Sequence, residues 1–228
     1  IIHRLYYKVK MEPIKDQNIL EYIIVIYGNK CTSSATSKLE KLFTYFSCKL
    51  KSTQSLIQKF KECDAPDKTA IILFTSGSES RPKGVPLTNK NIYMSIQAFS
   101  TVFQPNLEDK VLGTLPFFHV FGFVACLWLP LIMGMGAVFH PNPTDYERLG
   151  KIVHRYRVTM LLGTSTLYRG FMKRWKREQV SSVRLAFAGA EKLSENVRKK
   201  FDEKMGITIF EAYGVTESGA CITVNYPN

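Results

Sequence analysis

From residue 70 onward, short apolar runs alternate with stretches in which apolar residues recur every three or four positions. The runs at 70–74, 111–115, 137–140, 158–162, 183–188 and 207–210 are rich in aliphatic and aromatic residues and too short for helices, so they predict strands. Between them, Ile92, Ile96, Phe99 and Phe103 share one helical face behind Thr88, a good N-cap. Tyr146, Leu149, Ile152 and Val153 do the same within 145–156, and Val197 and Phe201 follow Ser194. Alternation of this kind predicts an α/β fold, a mainly parallel sheet with helices on both faces. Ligands of such sheets bind beyond the carboxyl ends of the strands.

Two segments depart from the alternation. Residues 115–139 are apolar enough to resemble a membrane span, but Pro116, Pro130, Gly122, Gly134 and Gly136 argue against one continuous helix. They read instead as a turn, a buried helix at 122–133 and the strand at 137–140. Residues 1–69 carry a strand-like run at 22–27 and helical spacings at Leu39, Leu42, Phe43 and Phe46 and at Leu56, Ile57 and Phe60. The lysines between them read as a solvated face.

The run at 70–74 reads as a buried strand leading into Thr75, Ser76, Gly77, Ser78, Glu79, Ser80, Arg81, Pro82, Lys83 and Gly84. Glycines that let backbone N–H groups approach an anion, three hydroxyls and two cations suit a polyphosphate. The order differs from the P-loop pattern, because Lys83 precedes Gly84 instead of following it. By composition alone the stretch also reads as a Ser/Gly surface loop.

Charge narrows the partners. With 31 Lys plus Arg against 19 Asp plus Glu, the net charge of +12 favours an acidic partner: nucleic acid, anionic lipid or an acidic carrier protein. No RNA- or DNA-binding signature accompanies it, so nucleic acid is the weakest of the three. The segment 168–177 interleaves basic residues with Phe171, Met172 and Trp175, which reads either as a surface helix with one apolar stripe or as a contact with an anionic membrane or a carrier protein. Five scattered cysteines without a C-x-x-C fit reduced thiols in a cytosolic compartment, and four scattered histidines offer no zinc spacing.

Three further motifs follow the loop: PFFHVFG at 116–122, FAGAEKLSE at 187–195 and EAYGVTESG at 211–219. With TSGSESRPKG at 75–84 they resemble, in order, the signatures of the adenylate-forming enzymes, the superfamily of acyl-CoA synthetases, luciferases and peptide-synthetase adenylation domains. The Ser78-Glu79 pair and LLGTSTL at 161–167 are most similar to the acyl-acyl carrier protein synthetase domain of bacterial 2-acylglycerophosphoethanolamine acyltransferases. Ser80 departs from the family's usual glycine. The resemblance implies that residues 70–228 are the AMP-binding portion of a large N-terminal domain, that residues 1–69 are divergent or foreshortened, and that the small C-terminal lid domain lies outside the chain.

The resemblance also implies roles. ATP would be held by Thr75, Ser76, Gly77, Ser78, Lys83 and Gly84 at its phosphates and by Gly189, Ala190, Glu191, Tyr213 and Gly214 at its adenine, with Thr216 at the α-phosphate. Tyr213 offers a flat face for a purine, and Glu217 is a hard oxygen ligand suited to Mg²⁺. Thr216, Glu217 and Lys83 would be catalytic. His119, Phe121 and Gly122 would line the acyl pocket, His119 as a pocket or packing residue and not as a base. The implied reaction is attack of a fatty-acid carboxylate on the α-phosphate of ATP, then transfer to the thiol of acyl carrier protein or CoA, in the cytoplasm or at the inner membrane face. A carboxylate is already ionised at neutral pH and needs no base. The alternatives are a long-chain fatty acid-CoA ligase and a non-catalytic nucleotide-binding or scaffold remnant, and the chain by itself is expected to adenylate poorly.

Overall fold

The computed structural model describes residues 66–75 and 83–225. The elements expected at 22–27, 39–46 and 56–60 lie outside the described residues, as do Ser76, Gly77 and Ser78.

Strands β1 (Thr69–Thr75) and β2 (Lys83–Thr88) form an antiparallel hairpin in which Thr75 pairs with Lys83. The expectation of a buried strand at 70–74 is corrected here. Leu73 is 5% exposed, but Ile72 is 55% and Phe74 73% exposed, because a two-stranded hairpin packs one face where a central strand would pack both.

Helix α1 (Asn89–Phe103) begins as its N-cap signal requires. The Asn91 amide donates to the Thr88 hydroxyl at 3.1 Å, and the Thr88 amide donates back to the Asn91 side-chain oxygen at 3.0 Å. Its predicted face is the buried one, with Ile92, Ile96 and Phe103 in the core and Phe99 packed against it.

After β3 (Lys110–Gly113) comes a turn, then a wide π-type helix at Gly122–Trp128 that runs into α2 (Leu129–Met133). Pro130 has no amide to donate and its ring crowds the turn before it, which accounts for the widened geometry upstream. Gly134, left-handed at φ 69°, ends the helix, and β4 (Gly136–Phe139) follows. No helix among the described residues is long and apolar enough to cross a membrane.

The rest is a regular alternation: α3 (Tyr146–Tyr156), β5 (Met160–Gly163), α4 (Ser165–Arg174), β6 (Leu185–Ala188), α5 (Glu195–Met205), β7 (Ile209–Tyr213) and β8 (Thr223–Val224). The sheet order is β4-β3-β5-β6-β7-β8, parallel from β4 through β7, with β8 antiparallel at the edge. The side chains of Asp145 and Thr164 cap α3 and α4 by accepting the amides of Arg148 and Leu167, each at 3.3 Å. Ser194 stands at the N-cap of α5, but its side chain makes no capping bond.

Successive residues of a strand point to opposite faces. Phe187 therefore meets Phe99, Phe103 and Phe210 on the α1 side, while Ala186 and Ala188 present the other face. A second aromatic cluster joins Tyr146, Tyr168, Phe171, Trp175 and Phe201. Of the two readings of 168–177, the helix with one apolar stripe is the one observed: Phe171 and Trp175 stack at 4.0 Å inside the core, and the Trp175 indole donates to the Tyr146 carbonyl at 2.6 Å. Burying an aromatic side chain stabilises by roughly 1.5–3 kcal/mol, which outweighs what a surface contact would return.

At the amino edge of the sheet, Asp109, Thr159 and Arg184 precede β3, β5 and β6. The buried Asp109 carboxylate accepts from Arg184 Nε at 2.7 Å, from Arg184 Nη2, from the Thr159 hydroxyl at 2.8 Å and from the Asn106 amide at 2.8 Å. Three strands are thus clipped together away from the carboxyl edge.

Candidate nucleotide and acyl site

The candidate residues collect at the carboxyl edge because the parallel strands β3, β6 and β7 all end there. The turn after β3 is PFFHVFG. A Cβ on Gly122 would lie 2.2 Å from the Pro116 carbonyl oxygen, so only glycine lets the helix start this close to the turn. The His119 amide donates to that carbonyl at 3.2 Å, and the Phe121 amide donates to His119 Nδ1 at 3.2 Å. His119 is exposed at the rim, with Nδ1 occupied by its own turn. That arrangement fits a positioned rim residue and gives it no base partner.

Gly189 and Ala190 leave the end of β6, and Tyr213 and Gly214 leave the end of β7. These four line one narrow cavity together with His119 and Phe121. Its enclosed part measures about 80 Å³. That is room for a few methylene groups, so a purine would occupy the open mouth, where the Tyr213 ring is 61% exposed. Ala190 is held at φ 67° and Ala220 at φ 110°, and both border the same cavity. Left-handed backbone at a non-glycine residue costs about 1–3 kcal/mol and persists where surrounding structure enforces it.

Residues 214–222 form the loop of the β7–β8 hairpin, closed by the Ile222 amide donating to the Tyr213 carbonyl at 2.8 Å. Within it, Thr216–Ser218 make one 3₁₀ turn that ends at Gly219, φ 75°. The turn packs against β2. Its carrier loop also reaches α1, since a Cβ on Gly219 would lie 3.4 Å from the Asn91 carbonyl oxygen. Thr216 and Glu217 therefore stand beside the strand that opens with Lys83 and Gly84, with Thr216 half-buried and Glu217 exposed.

Glu191 is engaged elsewhere. Its carboxylate accepts the backbone amide of Thr166 and, at 3.3 Å, the Thr166 hydroxyl, adding a cap to α4. Partial burial pushes this carboxyl up, and the Thr166 and Thr164 bonds with the Arg169 charge outweigh it, so it sits below the usual carboxylate range. Glu211 has a comparable duty, accepting the Leu193 amide at 2.8 Å.

The cavity walls missed in the sequence include Ser95, Ile96, Phe99, Val124, Leu129 and Cys221. Ile96 and Phe99 belonged to a face read wholly as core, and helical periodicity does not separate core from cavity wall. Cys221 is half-buried, and burial pushes its thiol up.

Among the described residues no three His, Cys, Asp or Glu side chains converge on one point. Glu217, exposed in the loop between β7 and β8, would offer a carboxylate. That fits Mg²⁺, which commonly takes one or two carboxylates and fills its shell with phosphate oxygens and water. The absence of a side chain on Gly189, where a Cβ would sit 3.3 Å from the Ala212 oxygen and from Phe121, keeps the mouth open to a flat ligand.

The family model for AMP-binding enzymes matches residues 9–228. A long-chain-fatty-acid–CoA ligase of Bacillus subtilis is 28% identical over 193 residues, 83% of this chain and 34% of the relative. The mitochondrial malonate–CoA ligase of Xenopus laevis is 31% identical over 187 residues, 74% of this chain and 32% of the relative. Among solved structures, the O-succinylbenzoate coenzyme A synthetase of Bacillus subtilis in complex with ATP and magnesium ion aligns with a TM-score of 0.66 at 29% identity, covering 72% of this chain and 34% of that one. The chain spans about a third of the length of the relatives it matches.

Proposed function

The chain belongs to the AMP-binding enzyme family, and from that premise we propose that it is part of the large domain of an ATP-dependent ligase that activates a fatty carboxylate as its adenylate and passes it to a thiol. The observation that carries this reading is the cavity shared by the ends of β6 and β7 and by the turn after β3, which joins three motifs nearly a hundred residues apart. Its walls divide by chemistry. Ile96, Phe99, Val124 and Leu129 suit an alkyl tail, and Tyr213 at the mouth suits a purine face.

The carboxylate would reach the α-phosphate between these two regions. It needs no general base, so catalysis is positioning and charge neutralisation. Thr216 would donate its hydroxyl to the α-phosphate, and the Lys83 ammonium, with Thr75, Ser76, Gly77, Ser78 and Gly84, would serve the outer phosphates. Mg²⁺, held by Glu217 and the phosphates, would supply further neutralisation as pyrophosphate leaves.

Two thiol acceptors have support. The relatives named above are CoA ligases, which favours CoA. The Ser78-Glu79 pair, the 161–167 motif and the net charge of +12 favour an acidic acyl carrier protein and a role in phospholipid acylation.

Binding of ATP to the full chain, followed with a fluorescent ATP analogue, tests the reading. ATP should compete the analogue off, and Tyr213→Ala should weaken binding about tenfold, in line with roughly 1–3 kcal/mol for one stacking partner. An affinity unmoved by Tyr213→Ala and by Thr216→Val would sink it.

A further inference from the structure

Helices α4 and α5 pack side by side, and an open groove of about 620 Å³ runs along their outer seam. Its floor includes Met172 and Val197, and its walls carry Arg169 and Lys173 from α4 and Lys200 and Lys204 from α5. These two helices treat their cations in two different ways. Outside the groove, Arg174 pairs with Glu147, and Arg198 and Lys199 pair with Glu195. Inside it, none of the four is ion-paired among the described residues, although Glu203 borders the same groove and the Lys204 ammonium donates to the Met172 carbonyl across the seam. Arg169 is near enough to Glu191 to depress its carboxyl, yet forms no ion pair with it.

Helix-dipole compensation accounts for Lys173 and Lys204, which stand in the last turns of their helices. It does not account for Arg169 and Lys200, which stand nearer the middle. The spacing is regular: 169 and 173, and 200 and 204, are each four residues apart, so each helix presents two cations about 6 Å apart along its axis. Carboxylates at i and i+4 on a third helix have the same repeat. A flat membrane fits a concave seam poorly, and the aromatic residues of α4 that could insert into lipid are buried.

We propose that the α4–α5 groove docks an acidic helix of the protein that brings the acceptor thiol. This rests on the carrier-protein form of the ligase reading. Glu191 joins the groove to the site: it feels Arg169 at one side and directly follows Ala190, which borders the cavity. A partner seated in the seam would stand beside the loop that carries Ala190.

The test is calorimetric titration of the full chain with an acyl carrier protein in its apo form, which lacks the thiol arm, at low and at raised salt. Binding should weaken with salt and should fall about fivefold or more in Arg169→Gln/Lys200→Gln, the size expected for two exposed ion pairs. It should be unchanged in Arg198→Gln/Lys199→Gln, and ATP binding should be unchanged in both. Arg169→Glu/Lys200→Glu should give a larger loss, with thermal unfolding as the check on folding. No binding, or an equal loss in the two neutralised pairs, would overturn the proposal. So would groove-dependent binding of phosphatidylglycerol vesicles with no such dependence for the carrier protein. Groove-dependent carrier binding without ATP binding would instead overturn the ligase reading and leave the groove standing.

Discussion

Glu191 and Thr166 are 25 residues apart, and the carboxylate of the first receives both the amide and the hydroxyl of the second. The loop that leaves β6 is thereby tied to the first turn of α4, which helps hold Ala190 at its positive φ beside the cavity. Glu191→Ala should lower stability by about 1 kcal/mol, the usual worth of a helix cap, and should weaken nucleotide binding by freeing the loop. Because the folded carboxyl lies below its ordinary value of 4.5, its contribution is present above that value and lost as pH falls through the lower folded one. Urea denaturation of the chain and of Glu191→Gln should therefore differ at pH 7 and converge in acid.

The Asp109 clip obeys the same sign. Burial pushes this carboxyl up, but the Arg184 guanidinium, the Asn106 amide and the Thr159 hydroxyl more than compensate and hold it below 3.8. Asp109→Asn should cost about 2–3 kcal/mol at neutral pH, less than for a fully buried pair because Arg184 keeps solvent contact. The penalty should disappear as pH falls through the folded value, which denaturation at pH 7 and in acid would reveal.

Gly214 has no room for a side chain, because a Cβ there would lie 1.3 Å from the Ala220 carbonyl oxygen. Gly214→Ala should force open the loop that carries Thr216 and Glu217. Nucleotide binding should be abolished, while far-UV circular dichroism stays close to that of the parent, since the loop lies at the sheet edge.

Cys221 borders the cavity, and Cys126 is sealed in the core with its thiol pushed up to about 12. Site-resolved mass spectrometry after alkylation at neutral pH should find Cys126 unmodified and Cys221 modified slowly. ATP should slow the reaction at Cys221 further and leave the other cysteines unaffected.

Glu217 is the carboxylate proposed for Mg²⁺. Glu217→Gln should reduce the gain in ATP affinity on adding Mg²⁺ by about tenfold or more, and leave Mg²⁺-free binding nearly unchanged. Equal effects in both conditions would remove it as the metal ligand.

Much of the fold was legible because its signals are local. The N-cap at Thr88, the faces of α1 and α3, and the strand runs from 111 to 210 act over one or two turns or one strand length. The four motifs placed Gly189, Ala190, Tyr213 and Gly214 in one neighbourhood because the carboxyl ends of adjacent parallel strands lie side by side. Hydrophobicity misled where burial depends on what lies opposite. Ile72 and Phe74 belong to a hairpin with an open face, whereas the apolar stripe read at 168–177 does turn inward, Phe171 stacking on Trp175.

By itself the sequence determined the alternation of elements, the order of the motifs and the family, all of which depend on residue type and spacing along the chain. Only the tertiary structure decided that Glu191 caps a helix, that Asp109 clips three strands, and that four cations from two helices face one groove. Each of these is a contact between residues 25 to 75 positions apart or a choice among neighbouring cations. A carboxylate's role is set by which donors fold against it, and no local pattern carries that information.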